Sequence, residues 1–238
     1  MIKFVPEYDK DFSPIIVGYK EFIEQVEKVE HNTVYICVER NGGYNYNFSM
    51  PVYPDGVNDE MNFKIVERMV KAVLWVVGGY KIYVKGSEKL FKMLKSAYDI
   101  NGERKFDNDF MHTCYLKPFE VVAVNELPLP KDSAMKVGGH TEGARIGFDA
   151  GGSDFKVCAV ENGKVLYSEE IIWNPKTQVD PDYHYKMIEM GLKKASSHLP
   201  KVDAIGVSSA GVIIDNKPMV SSLFVSWQAT HTLVLRTF

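Results

Sequence analysis

The sequence predicts an α/β fold in two parts, an N-terminal α/β domain and a later region with a mixed sheet, and three observations predict it. Between Asp59 and Val77, apolar Phe63, Val66, Val70, Val73, Leu74 and Val77 recur at helical spacing, and Gly78-Gly79 follows as a stop signal. Strand-like runs flank Asn41-Gly42-Gly43 and again Asn162-Gly163, where glycine supplies the positive φ a hairpin needs. Between these two regions, residues 128–143 are rich in proline, glycine and small polar residues, the composition of a linker.

Composition narrows the class. Of 238 residues, 45% are hydrophobic and 25% charged, the balance of a globular chain with enough apolar material for a core. A net charge of -3 argues against non-specific binding of nucleic acid. No uninterrupted apolar run reaches membrane-spanning length, and the opening MIKFVPEYDK has no apolar leader region. The expected partners therefore include neither nucleic acid nor membrane, and the expected compartment is the cytoplasm. Cys37, Cys114 and Cys158 stand far apart in apolar or strand-like runs, without CxxC or Cys/His ligand spacing, so they read as buried free thiols.

Taken in order, Ser13-Pro14 reads as an N-cap and first helical residue, followed by Ile15, Tyr19, Phe22, Val26 and Val29 on one face. Residues 32–39 and 44–52 form the arms of the first hairpin. Tyr44, Tyr46, Phe48 and Tyr53 on its second arm are expected in a sheet core. The helix of 59–77 comes next, then a strand over 81–85. Ser87 caps a further helix with Leu90, Leu94 and Ala97 inward, so Lys85-Gly86-Ser87 reads as a cap and not as a phosphate loop. Strands are expected over 111–116 and 119–127, and Asp107-Asn108-Asp109 before them as a solvated turn. These boundaries give a domain at 1–127, a linker at 128–144, a second region at 145–224 and a tail at 225–238.

The chemistry concentrates after Arg145. Residues 146–149 form a short buried strand ending in Asp149; Gly151-Gly152-Ser153 is a tight turn; 156–160 and 165–173 are two further strands. Glycines let backbone N–H groups approach an anion, Ser153 adds a hydroxyl donor, and Lys156 adds a point charge. Asp149 could hold Mg²⁺ through its waters, since that ion keeps much of its hydration shell. The plainer reading also stands: an Asp beside a glycine turn accepts from turn amides in many hairpins, and Lys156 is equally a solvated edge charge.

The run Gly147-x-Asp149-x-Gly151-Gly152-Ser153-x-x-Lys156, with Gly163 and a third strand after it, resembles the first phosphate motif of actin-like ATPases, and within them the ROK sugar kinases (repressors, open reading frames and kinases). An amphipathic helix over 182–199, with Tyr185, Ile188, Leu192, Ala195 and Leu199 on one face, and a strand over 202–214 continue the resemblance. It covers roughly Arg145 to Phe224, about a third of the chain. It implies a partial actin-like (ribonuclease H-like) lobe with ATP and Mg²⁺ as cofactors and a nucleotide or sugar as ligand. Asp149 would orient the metal, Gly151, Gly152, Ser153 and Lys156 would meet the phosphates, and Ser208, Ser209 and Gly211 would lie beside the sugar. Ser153 stands where the family usually has Thr.

The same resemblance also implies parts that the sequence does not contain. The family's catalytic Asp in an Asn-Asp pair, its second phosphate loop and its adenosine motif come later; Asp215-Asn216 has the reversed order, in a hairpin turn. The expectation is a truncated homologue that retains the first phosphate motif without phosphoryl transfer, its last residues, 225–238, being foreign to the family. The alternative expectation is a non-catalytic ligand-binding or regulatory module; activators of CoA-dehydratases, a third class, usually carry a cysteine pair that this sequence lacks. The strand over 202–214 would have an exposed edge, to be covered by residues 230–238 or by a homodimer. The six histidines show no ligand spacing and read as surface or satisfied core residues.

Overall fold

The structure, a computed structural model, describes residues 6–10, 12, 14–132, 138–215 and 217–224. Ser13, Asn216 and the tail from 225 onward, on which some of the expectations fall, lie outside the described residues. The chain divides into two compact units, 1–134 and 135–238. No helix among the described residues is long and apolar enough to cross a membrane.

In the first unit, helix α1 (Ile15–Val26) precedes a hairpin of β1 (Asn32–Glu39) and β2 (Asn45–Val52), paired from Asn32–Val52 to Glu39–Asn45. Helix α2 (Asp59–Val77), strand β3 (Lys81–Lys85), helices α3 (Glu88–Ala97) and α4 (Lys105–Tyr115), and strand β4 (Glu120–Ala123) follow. The sheet order is β2-β1-β3-β4, antiparallel except for the parallel β3/β4 pair. Valine and isoleucine at alternate positions of β1 (Val34, Ile36, Val38) pack with Val66, Val70 and Leu74 of α2 and Leu90 and Leu94 of α3. Ser87 Oγ accepts from Leu90 N at 3.0 Å, the cap that its position implies. On β2 the aromatic expectation divides: Phe48 packs against the core while Tyr46 is 46% exposed.

Residues 111–115 of the expected strand over 111–116 belong instead to α4, which ends at Tyr115. Its buried side chains are Asp107, Met111 and Cys114, a helical spacing that a search for apolar residues misses because its first member is acidic. Asp107 is likewise no solvated turn: it is 1% exposed and accepts from Trp75 Nε1 at 2.5 Å, with Lys71 Nζ at 3.3 Å. The first residues of the expected linker are strapped to the hairpin, where Asn45 Nδ2 donates to Leu129 O (3.0 Å) and Asn47 Nδ2 to Pro128 O (2.8 Å).

The second unit contains β5 (Ala144–Ala150), β6 (Asp154–Glu161), β7 (Lys164–Ile172), a 3₁₀ turn (Pro175–Thr177), α5 (Pro181–Ser196), β8 (Ala204–Ser209) and a small hairpin of β9 (Val212–Ile214) and β10 (Lys217–Val220). Its sheet runs β7-β6-β5-β8; the first three strands are antiparallel, and β8 returns through α5 to lie parallel to β5. This is a mixed sheet with one crossover helix, as the fold class requires. The core is Ile146, Phe148, Phe155, Val157, Trp173, Ala195 and Leu223.

Two expectations for this unit need correction. The inward face of α5 is His184, Gly191 and Ala195, with Ile188 and Leu192 half-buried, while Tyr185 is 52% exposed. His184 is a core histidine, 3% exposed, its Nε2 lying 3.1 Å from Pro175 O and 3.3 Å from Leu223 O. Residues 202–214 are not one strand but two, β8 and β9, separated at Ala210-Gly211. Gly211 has φ +133°, and a Cβ there would lie 2.2 Å from Val220 O, so the chain turns where only glycine fits.

Candidate functional site

Alternation along β5 sorts its residues onto two faces. Ile146, Phe148 and Ala150 are buried, while Gly147 and Asp149 point to the opposite, open face. Cross-strand register carries that face over the neighbouring strands: Asp149 pairs with Lys156 on one side and Ser208 on the other, Gly147 with Cys158 and Gly206. These residues, with Ser168 of β7, line a shallow open depression of about 450 Å³. Ser208 Oγ donates to Asp149 Oδ1 at 2.6 Å, tying the acid expected at the metal to a serine expected at the sugar. Gly147 is small for a reason visible here, since a Cβ would stand 2.9 Å from Cys158 Sγ. Cys158 itself is half-buried, whereas Cys37 and Cys114 are buried.

At the end of β5, Gly151-Gly152-Ser153 turns into β6, and the end of β7 braces the turn. Trp173, 1% exposed, donates its backbone N–H to Ser153 O (3.0 Å) and its indole N–H to Gly151 O (2.8 Å). A Cβ at Gly151 would stand 2.6 Å from Asp154 O, so the turn closes tightly there. The two polar side chains expected to meet a phosphate converge on Asp154: Ser153 Oγ donates to Oδ1 at 2.8 Å and Lys156 Nζ to Oδ2. Lys156 Nζ also lies 3.6 Å from Glu170. Lys156, and then Ser153, hold the Asp154 carboxyl below the usual aspartate range, and Asp154 raises the Lys156 ammonium in return.

Sequence reasoning passed over Asp154 because the motif treats its position as variable. The signal was available: in a strand, residues 154 and 156 share a face, and an acid two residues before a lysine is its natural partner. It also passed over Lys176 on the 3₁₀ turn, whose side chain runs over Gly152. Of the three residues expected beside a sugar, only Ser208 lines the depression. Ser209 pairs with Ala150 on the other face, and Gly211 sits in the bend after β8.

Among the described residues, no three His, Cys, Asp or Glu side chains gather into a metal cage. Asp149 alone still fits a Mg²⁺ that arrives with its ligand, because that ion needs only one or two carboxylates when waters and phosphate oxygens complete the octahedron.

No protein-family model matches the sequence, and a search of curated proteins finds no match. Among solved structures, an exopolyphosphatase from Cytophaga hutchinsonii is similar at 12% identity over 74% of this chain and 63% of that one, with a TM-score of 0.22. The chain thus spans less than two thirds of that protein's length. A TM-score this low transfers neither geometry nor activity, and the α/β class stands on the two mixed sheets themselves.

Proposed function

We propose that the second unit holds the phosphate chain of a Mg²⁺-nucleotide at the Gly151-Gly152-Ser153 turn, as a ROK-like relative of the actin-like ATPases would, with a hexose as the ligand class beside Ser208. The observation that carries this reading is the 2.6 Å bond between Ser208 and Asp149, which gathers an acid and a hydroxyl on one open face beside a braced glycine turn. Asp149 would take the metal through water, and the turn's backbone would take phosphate oxygens.

Binding without transfer is the expected activity of this chain. Asp149 is the one carboxylate lining the depression, and a single carboxylate cannot hold the metal and deprotonate a sugar hydroxyl at once. Asp154, on the same face, is already engaged by Ser153 and Lys156. A positioned general base is worth about 10²–10⁴ in rate, so its absence alone cuts turnover by about that factor.

Calorimetric titration with ATP, with and without Mg²⁺, tests the reading. Two or three charge-assisted bonds of about 1.5–3 kcal/mol each, less the cost of association, leave a millimolar ligand at about -4 kcal/mol. Asp149→Asn should abolish the Mg²⁺ dependence while leaving the melting temperature in place. Absence of any ATP binding at millimolar concentrations, or hexose phosphorylation above background by the purified chain, would overturn the proposal.

A further inference from the structure

We infer that a single hexose ring lies flat on the open face of the second unit's sheet, over the Gly147–Gly206 pair, and that Gly206 decides whether a ring fits. The inference rests on the reading that puts a hexose beside Ser208, and adds where the ring sits and what limits its size. Its basis is a glycine that the fold does not require. Gly147 and Gly206, the two strand glycines among the described residues, are register partners on β5 and β8. Packing accounts for Gly147, whose added Cβ would stand 2.9 Å from Cys158 Sγ. It does not account for Gly206: a Cβ there would meet nothing within 4 Å, and its φ is not in the left-handed region. A glycine inside a strand costs conformational entropy and offers nothing to pack, so a side chain at 206 would strengthen β8. Strand glycines of this kind mark places where a ligand or another backbone comes close.

The surroundings of the pair suit a ring with hydroxyls at its rim. Gly147 and Gly206 leave two adjacent strands bare, so their peptide planes form the floor of the depression. Cys158 of β6 stands beside Gly147 and bounds the floor on one side. Along the strands, Asp149 and Ser208 form the next row on this face, and Arg145 and Ala204 the row before. Those two rows are separated by about 13 Å at the rise of a strand, which leaves room for one pyranose ring between them. A pyranose has a face of C–H groups that can lie against bare peptide and a rim of hydroxyls that needs polar partners. Ser208 supplies one: its Oγ donates to Asp149 Oδ1 at 2.6 Å, so its oxygen is turned to acceptance from a sugar hydroxyl. Asp149 thereby serves the sugar through Ser208 and keeps its charge for the metal.

Position 206 can be filled without disturbing the fold. Gly206→Val puts a β-branched side chain into open space, so its melting temperature should equal or exceed that of wild type. Gly206→Ala adds a single methyl group at the same place. The full-length chains are titrated with D-glucose, D-mannose and D-galactose, and separately with ATP and Mg²⁺, with NMR chemical shifts as the readout and light scattering to follow the oligomeric state.

The expected result is that wild type binds at least one of these sugars and that Gly206→Val weakens it by about tenfold or more, the scale on which a methyl group or two alters recognition in a pocket. Gly206→Ala should weaken it less, and both variants should keep the wild-type affinity for ATP. Equal sugar affinity in wild type and Gly206→Val would overturn the inference. So would loss of ATP binding in that variant, which gives the floor to the nucleotide, or a changed oligomeric state, which gives it to another backbone. A wild-type chain that takes ATP with Mg²⁺ but none of the sugars overturns the inference and leaves the phosphate reading of the turn standing. One that takes a sugar without ATP supports the inference and removes the phosphate reading; one that takes neither removes both.

Discussion

Glu39, at the end of β1, shows how a single carboxylate can tie an edge of the first sheet together. It accepts from Tyr80 Oη at 2.7 Å and from Tyr83 Oη, while Lys117 Nζ donates to Tyr80 Oη at 2.9 Å and lies 4.1 Å over the same ring. Burial alone would raise the Glu39 carboxyl, but the Tyr83 and Tyr80 hydroxyls, with Lys81 and Lys117 nearby, outweigh it and hold the pKa below the usual 4.5. A carboxyl whose folded pKa is depressed adds stability that is fully present above its unfolded value and is lost as pH falls through the folded one. The melting temperature of the first unit should therefore hold steady from neutral pH down to about 4.5 and fall below it. Glu39→Gln should start lower at pH 7 and show a shallower acid limb. An identical acid limb in wild type and variant would show that Glu39 contributes nothing to acid sensitivity. The contrast with Asp149 is instructive: both lie near the end of a strand, but Glu39 is surrounded by its own partners while Asp149 is exposed on an open face with Ser208 beside it.

Elements were legible in the sequence where apolar spacing alone defined them. Helix α2 runs from Asp59 to Val77 as its stripe dictates, and the Asn-Gly turns at 41–43 and 162–163 fall between paired strands, with Asn162 and Gly163 both at positive φ. Legibility failed where a polar or small residue holds a core position. Asp107 conceals the helical period of α4 because its partners, Trp75 and Lys71, are more than thirty residues away in sequence. Gly191 hides the true inner face of α5. At the site, the motif located Asp149 and the turn, but a motif cannot report which charges are already paired. Asp154's hold on Lys156 and Lys176's reach over Gly152 depend on strand register and on the fold of the 3₁₀ turn.

Gly191 also gives α5 a measurable weak point. A Cβ there would lie 2.6 Å from Phe155 Cε2 and 3.2 Å from Phe148 Cε2, two stacked rings 4.9 Å apart. Replacing a mid-helix glycine by alanine gains roughly 1 kcal/mol of helix propensity. Overpacking a filled core costs about 1–3 kcal/mol, and rings this closely stacked have no room to yield. Gly191→Ala should thus lower stability by about 1 kcal/mol in urea denaturation, the reverse of its effect in an exposed helix. A stabilised variant would mean that α5 can lift off the sheet without cost.

At the scale of the whole molecule, each unit has its own sheet and core, and the second has an open side. Among the described residues β8 pairs with β5 alone, so its other edge has no strand partner among them. The side chains do nothing to protect it: Ile205 is 49% and Val207 65% exposed, and β8 contains no lysine, glutamate or proline. Natural edge strands are blunted by such residues or covered, because a bare apolar edge is a template for association. We propose that this edge is covered by residues 230–238 of the same chain, which lie outside the described residues and whose sequence alternates Thr232, Val234 and Arg236 with Leu233 and Leu235. Deleting residues 225–238 should then turn a monomer into dimers or larger species in light scattering, with a lower melting temperature. Adding Val207→Lys to the deletion should restore a monomer, since a charge on the strand disfavours pairing with a second copy. If the full chain is already a dimer that Val207→Lys splits, the edge is covered by a second copy instead. A deletion variant that stays monomeric with an unchanged melting temperature would mean that β8 needs no cover at all.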